Sequence, residues 1–538
     1  MKAPYIIAIL TLAVLVTGFG WLATLPIGEG FDELLYFSYI QELADTKRLP
    51  TSGTSFMSGD VLAYRERLPT AYLSTPPYED LEGGITYRRF FTLPSTHKAI
   101  EVLTKPRNYT PSKILNTPQH PPIYYAAMAP IYSVSKHWNW KTQMALMRAV
   151  SWMFAFGGYV LGVGAILRFW PEENSTTVAA ISAAWPFIAP MYFSEMARLG
   201  SDSLCLLIMG GAWWMLLKIA GGKVVPKARD YAILGAFLGI GLLTKAFFMP
   251  ITVAIAIFLF LRGEKKGLAI LLPFSLLLGV PWYLYKEIAT GVLTGGQEQI
   301  QLAQQGGLAA GLAKNFNIYG LVRGLSAVVA STAWAGTFSL ARFQEIFLAP
   351  LVALMTVPIM AYGVRLMRAR LSDFVWAPAA IVLMFAAGLA HHVLVALAMT
   401  GLGNNTPGWY LHILTGPLGF IYALGLLWLI KSGIGRWGFI VLASYTSGYL
   451  AIVSWVQLAM YAGCVTKQGA IRYYAFPEGS SSLLDAGRIV HNLSVIAQPY
   501  IGIPLLFGGI ALGVVGLAML SSQLMVLGKA AESGANNG

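Results

Sequence analysis

Long apolar runs separated by short polar segments set the pattern of this chain. A hydrocarbon layer of ~30 Å needs about 20 consecutive apolar residues per helix. By that measure about twelve segments predict membrane-spanning helices: 5–26, 147–168, 177–194, 202–219, 231–249, 250–262, 267–285, 346–364, 374–400, 411–430, 438–461 and 499–521. Two of them are weak. The third carries Pro186 and Pro190, and the sixth is short unless it begins within Phe247–Pro250.

The polar intervals predict the rest of the architecture. The longest, 27–145, is rich in Pro, Tyr, Thr and Arg and too short to hide a large separate domain. Two helical pieces are expected in it. One is 31–47, with apolar positions at Phe31, Leu34, Leu35, Ile40 and Leu43; the other is 122–136, apolar but carrying Pro122 and Pro130, and expected to lie at the membrane interface. Further outer segments are the turn Arg198–Asp202, the Gln- and Gly-rich stretch 286–345, and 462–498. No internal repeat is evident, so the inverted-repeat mark of many transporters is missing. The expectation is an all-α polytopic membrane protein: one membrane domain over 1–530, then a disordered cytoplasmic tail, 531–538.

Composition supports this class. The chain has 538 residues, 56% hydrophobic and only 11% charged, with a mean hydropathy of +0.61, which excludes an ordinary soluble protein. Placing the N-terminus in the cytoplasm puts Lys218, Lys223, Lys227 and Arg229, then Arg262, Lys265 and Lys266, then Arg365, Arg368 and Arg370, on the inner side. Lys431 and Arg436 follow the same rule. The net charge of +13 is spread over these short loops and is not gathered into a nucleic-acid-binding face. The N-terminal run has the form of a signal peptide, yet it is long enough to span, and cleavage is not expected. Cys205 and Cys464 imply neither a disulfide framework nor CxxC metal spacing.

Candidate chemistry gathers on the outer side. Asp32 and Glu33 follow the first apolar run directly, and carboxylates so close to hydrocarbon are costly unless solvated or used. They form either a reactive pair or an acidic pair complementing a helix dipole. Lys245, inside Gly241-Leu-Leu-Thr-Lys-Ala-Phe-Phe-Met-Pro250, reads as a partner for phosphate or carboxylate, or as a snorkelling lysine. Lys286 follows Pro281-Trp-Tyr-Leu-Tyr285, where anchoring in an aromatic belt is the ordinary role. Glu195, Arg198 and Asp202 either pair with one another or extend the site. His391 and His392 are adjacent, point apart on a helix, and read as core or cavity residues rather than metal ligands. There is no P-loop, strand-linked GxGxxG, GxSxG or HExxH, so no soluble nucleotide-sugar site is visible.

Taken in order, Asp32-Glu33, Gln119-His120-Pro121-Pro122-Ile-Tyr124-Tyr125, Leu242-Leu-Thr244-Lys245 and Pro281-Trp282-Tyr283 resemble the GT-C integral membrane glycosyltransferases. Within them the branch using polyprenyl-phosphate sugars is the nearest in pattern: protein O-mannosyltransferases, the lipid A aminoarabinose transferase and arabinosyltransferases. The resemblance covers about 1–430. It implies two juxtamembrane helices in the first outer loop, Asp32 as catalytic base, and acceptor contacts from Glu33, Asp202 and His120. It implies donor-phosphate contacts from Lys245, helped by Lys286 or Arg472, and sugar contacts from Tyr124, Tyr125, Tyr283, Tyr410 and His412. Trp409 stands where many relatives have arginine before Tyr-Leu, which shifts weight to Lys286 or Arg472. The large C-terminal soluble domain and Trp-Trp-Asp motif of oligosaccharyltransferases are missing, which argues against block transfer.

The activity these features predict is inverting transfer of a single sugar from a polyprenyl-phosphate donor to a glycan, lipid or protein acceptor. It would occur on the extracytoplasmic face of what is expected to be a bacterial inner membrane, with both termini cytoplasmic. No metal or other cofactor is expected, and no nucleic-acid partner. A flippase for lipid-linked glycans would use the same cavity and cations without Asp32 chemistry. A glycan ligase or polymerase would want more arginine in its late outer loop than Arg472 and Arg488.

Overall fold

The computed structural model describes residues 3–50, 56–67, 69, 87–92, 108–114, 119–337, 345–370, 373–403, 406–431, 435–468, 473–475, 479 and 481–535. It is helical throughout, apart from two short antiparallel ribbons. Among the described residues nine helices are long and apolar enough to cross a membrane. All twelve predicted segments are helical, but three fall short of a full span.

The reasons are local. The third segment breaks into Ser175–Ala183, Trp185–Ile188 and Met191–Met196. Pro186 and Pro190 each remove a backbone donor at the breaks. The fifth segment stops at Leu242, and the sixth begins at Phe248. A helix of 15 residues is only about 22 Å long, well under the hydrocarbon thickness. The turn between the two carries Lys245. A lysine at a break reaches a polar partner without crossing lipid.

The first span, Ala3–Thr24, packs along the last helix, Pro499–Ala535. That last helix runs to Ala535, so most of the expected disordered tail is helical instead. Trp140–Phe169 packs along Ser201–Ala220. Glycine sets that crossing: a Cβ on Gly158 would stand 2.2 Å from the Leu206 carbonyl oxygen, and one on Gly210 would stand 2.3 Å from that of Gly158. Backbones this close run the two spans side by side, with Arg148 on one and Asp202 on the other.

The first loop supplies the cover. Its two expected helices are present as Glu33–Thr46 and Ile123–Ser135, and they pack on each other. Tyr39 stacks on Tyr125 at 3.7 Å, nearly parallel. The ribbon Phe56–Ser58 with Pro111–Ile114 is tied to the first of these helices where Ser58 N–H donates to Ser38 Oγ at 2.8 Å. The interval 286–345, read as a Gln- and Gly-rich loop, holds three short helices: Gln297–Gln304, Gly307–Asn315 and Ile318–Ala330.

Candidate active site

Asp32 occupies the left-handed region, at φ 56° and ψ 12°, as the N-cap of Glu33–Thr46. A non-glycine residue there costs about 1–3 kcal/mol, although Asp tolerates it better than most. The turn before it holds the strain. Gly28 is also left-handed, and a Cβ on Gly30 would press the Arg198 side chain at 2.9 Å and the Glu33 carboxyl at 3.1 Å.

Glu33 is the anchor of this turn. Its carboxylate is fully buried and accepts from Arg148 Nε at 2.7 Å, Arg148 Nη2 at 2.5 Å, Gly28 N at 3.1 Å and Leu199 N at 3.0 Å. Arg148 also donates to the carbonyls of Leu25 and Pro26, at 2.5 and 2.7 Å, beyond the end of the first span. The expected acceptor contact at Glu33 is therefore corrected. Its hydrogen bonds all go inward, and it holds the turn that presents Asp32.

Asp32 faces the opposite way, into a cavity of about 290 Å³. Phe31, Asp32 and Tyr36 form one wall; Ala327, Ser331 and Trp334 a second; Thr406, Pro407, Trp409 and Tyr410 a third, with Arg198 joining them. Among the described residues that line it, Asp32 is the only carboxylate and Arg198 the only cation. The Asp32 carboxyl makes no hydrogen bond as a helix cap. Burial pushes its pKa above 3.8, opposed by the nearby charges of Arg198 and Lys245.

Behind the cavity lies a buried ion network. Arg198 binds Glu195 with two nitrogens, reaches Asp202 at 3.1 Å and donates to the Phe31 carbonyl at 2.8 Å. Lys245 donates to both Asp202 oxygens, at 2.8 and 3.0 Å, and lies over the rings of Phe247 and Tyr410 at 4.3 and 4.7 Å. Of the two readings of Glu195, Arg198 and Asp202, each holds in part: the three pair with one another, and Arg198 also lines the cavity. Asp202 is a counter-ion between two cations and not an exposed acceptor contact, and Lys245 is sheltered from the cavity by Tyr410. Among the described residues the cation that lines the cavity is Arg198.

The other expected site residues separate. Lys286 is buried beside the rings of Trp282 and Tyr285, at 4.6 and 5.4 Å, and does not line the cavity. Arg472 lies outside the described residues. His120 meets the Tyr36 ring edge-on at 5.8 Å. Burial first, then the Lys245 charge, lower its pKa to about 3, so it is neutral. Tyr124 is tied to Ser151 at 2.7 Å, and the Tyr283 hydroxyl donates to the Leu242 carbonyl at 2.8 Å. Tyr125 is buried in its stack on Tyr39. His412 packs in the core against Tyr192 at 5.9 Å. Of the five expected sugar contacts, only Tyr410 lines the cavity; the other four are packing residues.

The residues that sequence reasoning missed are mostly aromatic. Trp409 stacks on Phe31 at 4.3 Å and 15°, with Trp334 at 6.4 Å from it. Trp334 lies in a stretch with no motif. Trp409 reads in sequence as a departure from arginine in a stretch where an aromatic belt is expected, although a tryptophan at a helix end is itself a signal for stacking.

No protein-family model matches the chain, and no curated protein matches it. Among solved structures it is similar to the crystal structure of ArnT from Cupriavidus metallidurans bound to undecaprenyl phosphate. The TM-score is 0.48 at 13% sequence identity, over 96% of this chain and 77% of that one.

Proposed function

We propose that this protein is a membrane glycosyltransferase that moves one sugar from a polyprenyl-phosphate donor to an acceptor hydroxyl of the cell envelope. The observation that carries the reading is Asp32: a carboxylate presented from a strained turn into a small aromatic cavity, with Arg198 on the same cavity wall. The ordered motif series from Asp32 to Tyr283 supports the same class. A cavity of about 290 Å³ sits at the lower end of small-molecule pockets, ~300 Å³, which suits one sugar unit rather than a glycan block.

In this mechanism the Asp32 carboxylate takes the proton of the acceptor hydroxyl. The acceptor oxygen forms a bond to the sugar's anomeric carbon as the bond from that carbon to the phosphate oxygen breaks. The bonding pair leaves with the phosphate, and the anomeric centre inverts. A positioned base of this kind contributes about 10²–10⁴-fold. Arg198, with Lys245 behind Tyr410, supplies positive potential where phosphate charge grows. A lipid-borne donor suits a reaction at the membrane surface, and the distribution of Lys and Arg over the loops supports the extracytoplasmic side.

The test is transfer of radiolabel from defined polyprenyl-phosphate sugars to envelope extracts, with release of free polyprenyl phosphate measured alongside. Wild-type protein is expected to release it in step with labelled acceptor. Movement of the donor across the bilayer without release would replace this reading with lipid transport.

A further inference from the structure

We propose that the Trp409 indole is the platform on which the transferred sugar stacks, and that Phe31 occupies that platform until the sugar displaces it. This deepens the proposed function and rests on it for the identity of the ligand as a sugar.

The geometry comes first. The Phe31 and Trp409 rings are 4.3 Å apart and nearly parallel, and both line the cavity that Asp32 faces. A ring lying flat on an indole is the contact that the apolar face of a pyranose also makes. Phe31 therefore fills the place such a ring would take, directly beside the carboxylate.

Trp409 sits on a fixed support. The Gly408 N–H donates to Ser331 Oγ at 2.6 Å, and a Cβ on Gly408 would stand 1.6 Å from the Val328 carbonyl oxygen. The turn Gly408–Leu414 is thus pressed against Ile318–Ala330 and the turn after it. Phe31 is half-buried, and its carbonyl accepts from Arg198. Its side chain can leave the stack without breaking that bond. Because Phe31 immediately precedes the left-handed Asp32, its rotation out of the stack clears space next to the base.

Charge fits the same ligand. Asp32 and Arg198 are the only charged residues among the described residues that line the cavity, and Phe31, Tyr36, Trp334, Trp409 and Tyr410 supply most of the remaining described wall. Such a wall favours a ring with an apolar face over an open, highly charged group.

The experiment uses the full-length protein in lipid nanodiscs. It is titrated with polyprenyl phosphate carrying glucose, mannose, galactose or arabinose, and with bare polyprenyl phosphate, following tryptophan fluorescence. At least one sugar-bearing lipid is expected to bind more tightly than the bare lipid. Trp409→Leu is expected to remove that increment, about threefold to tenfold, and Trp409→Phe to keep most of it. Phe31→Ala is expected to tighten sugar-dependent binding, because the competing ring is gone. Unchanged affinity for bare lipid shows that each variant is folded.

A sugar increment that survives Trp409→Leu, or that Phe31→Ala weakens, overturns the proposal, as does the lack of any increment in the wild type. The two readings fail separately. Sugar-dependent binding without release of polyprenyl phosphate to any acceptor sinks the transferase reading and leaves the platform. Transfer that Trp409→Leu leaves untouched does the reverse.

Discussion

Glu33 and Arg148 offer the sharpest check on the site as described. Glu33→Gln keeps one acceptor oxygen and replaces the other with an NH₂ group. Turned either way, that group points at donors: Arg148 Nη2 and Gly28 N on one side, Arg148 Nε and Leu199 N on the other. One charge-assisted bond and one backbone bond are lost, and Arg148, 2% exposed, keeps its charge without a counter-ion. Breaking a buried pair from one side costs roughly 3–5 kcal/mol. Arg148→Met should cost a similar amount, since it strands the Glu33 carboxylate together with the Leu25 and Pro26 carbonyls. The double variant should cost less than the sum, with a coupling of ~2–3 kcal/mol. The assay is unfolding of detergent-purified protein followed by tryptophan fluorescence, as a double-mutant cycle. If Glu33→Gln unfolds at the wild-type midpoint while acceptor transfer collapses, Glu33 contacts the acceptor and the anchoring role is wrong.

Other predictions follow from the same network. Asp32→Asn should lower transfer by about 10²–10⁴-fold with little change in donor binding; near-wild-type turnover in folded protein would remove the base assignment. Burial raises the Asp32 carboxyl, and the base works deprotonated. Transfer should therefore fall as pH drops through a midpoint above 3.8, and an acid limb at or below 3.8 would contradict the burial argument. His120, with its pKa lowered to about 3, should show no titration between pH 5 and 8 in nitrogen NMR of histidine-labelled protein; a shift in that window would place it in solvent. Asp202→Asn leaves Lys245 and Arg198 short of a counter-ion and should destabilise the protein by ~3–5 kcal/mol, with Asp202→Asn/Lys245→Met recovering part of the loss in the same melt. Gly158→Leu forces a side chain onto the Leu206 carbonyl and should cost at least ~1–3 kcal/mol, read as a lower melting temperature.

The apolar pattern alone determined the class of this protein, most helix positions and both juxtamembrane helices. A hydrocarbon solvent demands continuous apolar runs, so the demand is written into the sequence directly. The same pattern overstated three spans, because run length does not show where Pro186, Pro190 or the Leu243–Phe247 turn lets the backbone leave a helix. Asp32 was legible because a carboxylate beside a membrane is conspicuous. Its separation from Glu33 was not. Neighbouring residues on a helix point different ways, and only the packing of the first span on Trp140–Phe169 decided that Arg148 would claim one carboxylate and leave the other to the cavity. The tertiary structure likewise decided that Asp202 would neutralise Lys245 and that Arg198 would be the cation in view. Trp334 and Phe31, from distant parts of the chain, meet at Trp409 only in three dimensions. Sequence spacing carries the cost of burying a charge or a ring, but not the identity of the partner that offsets it.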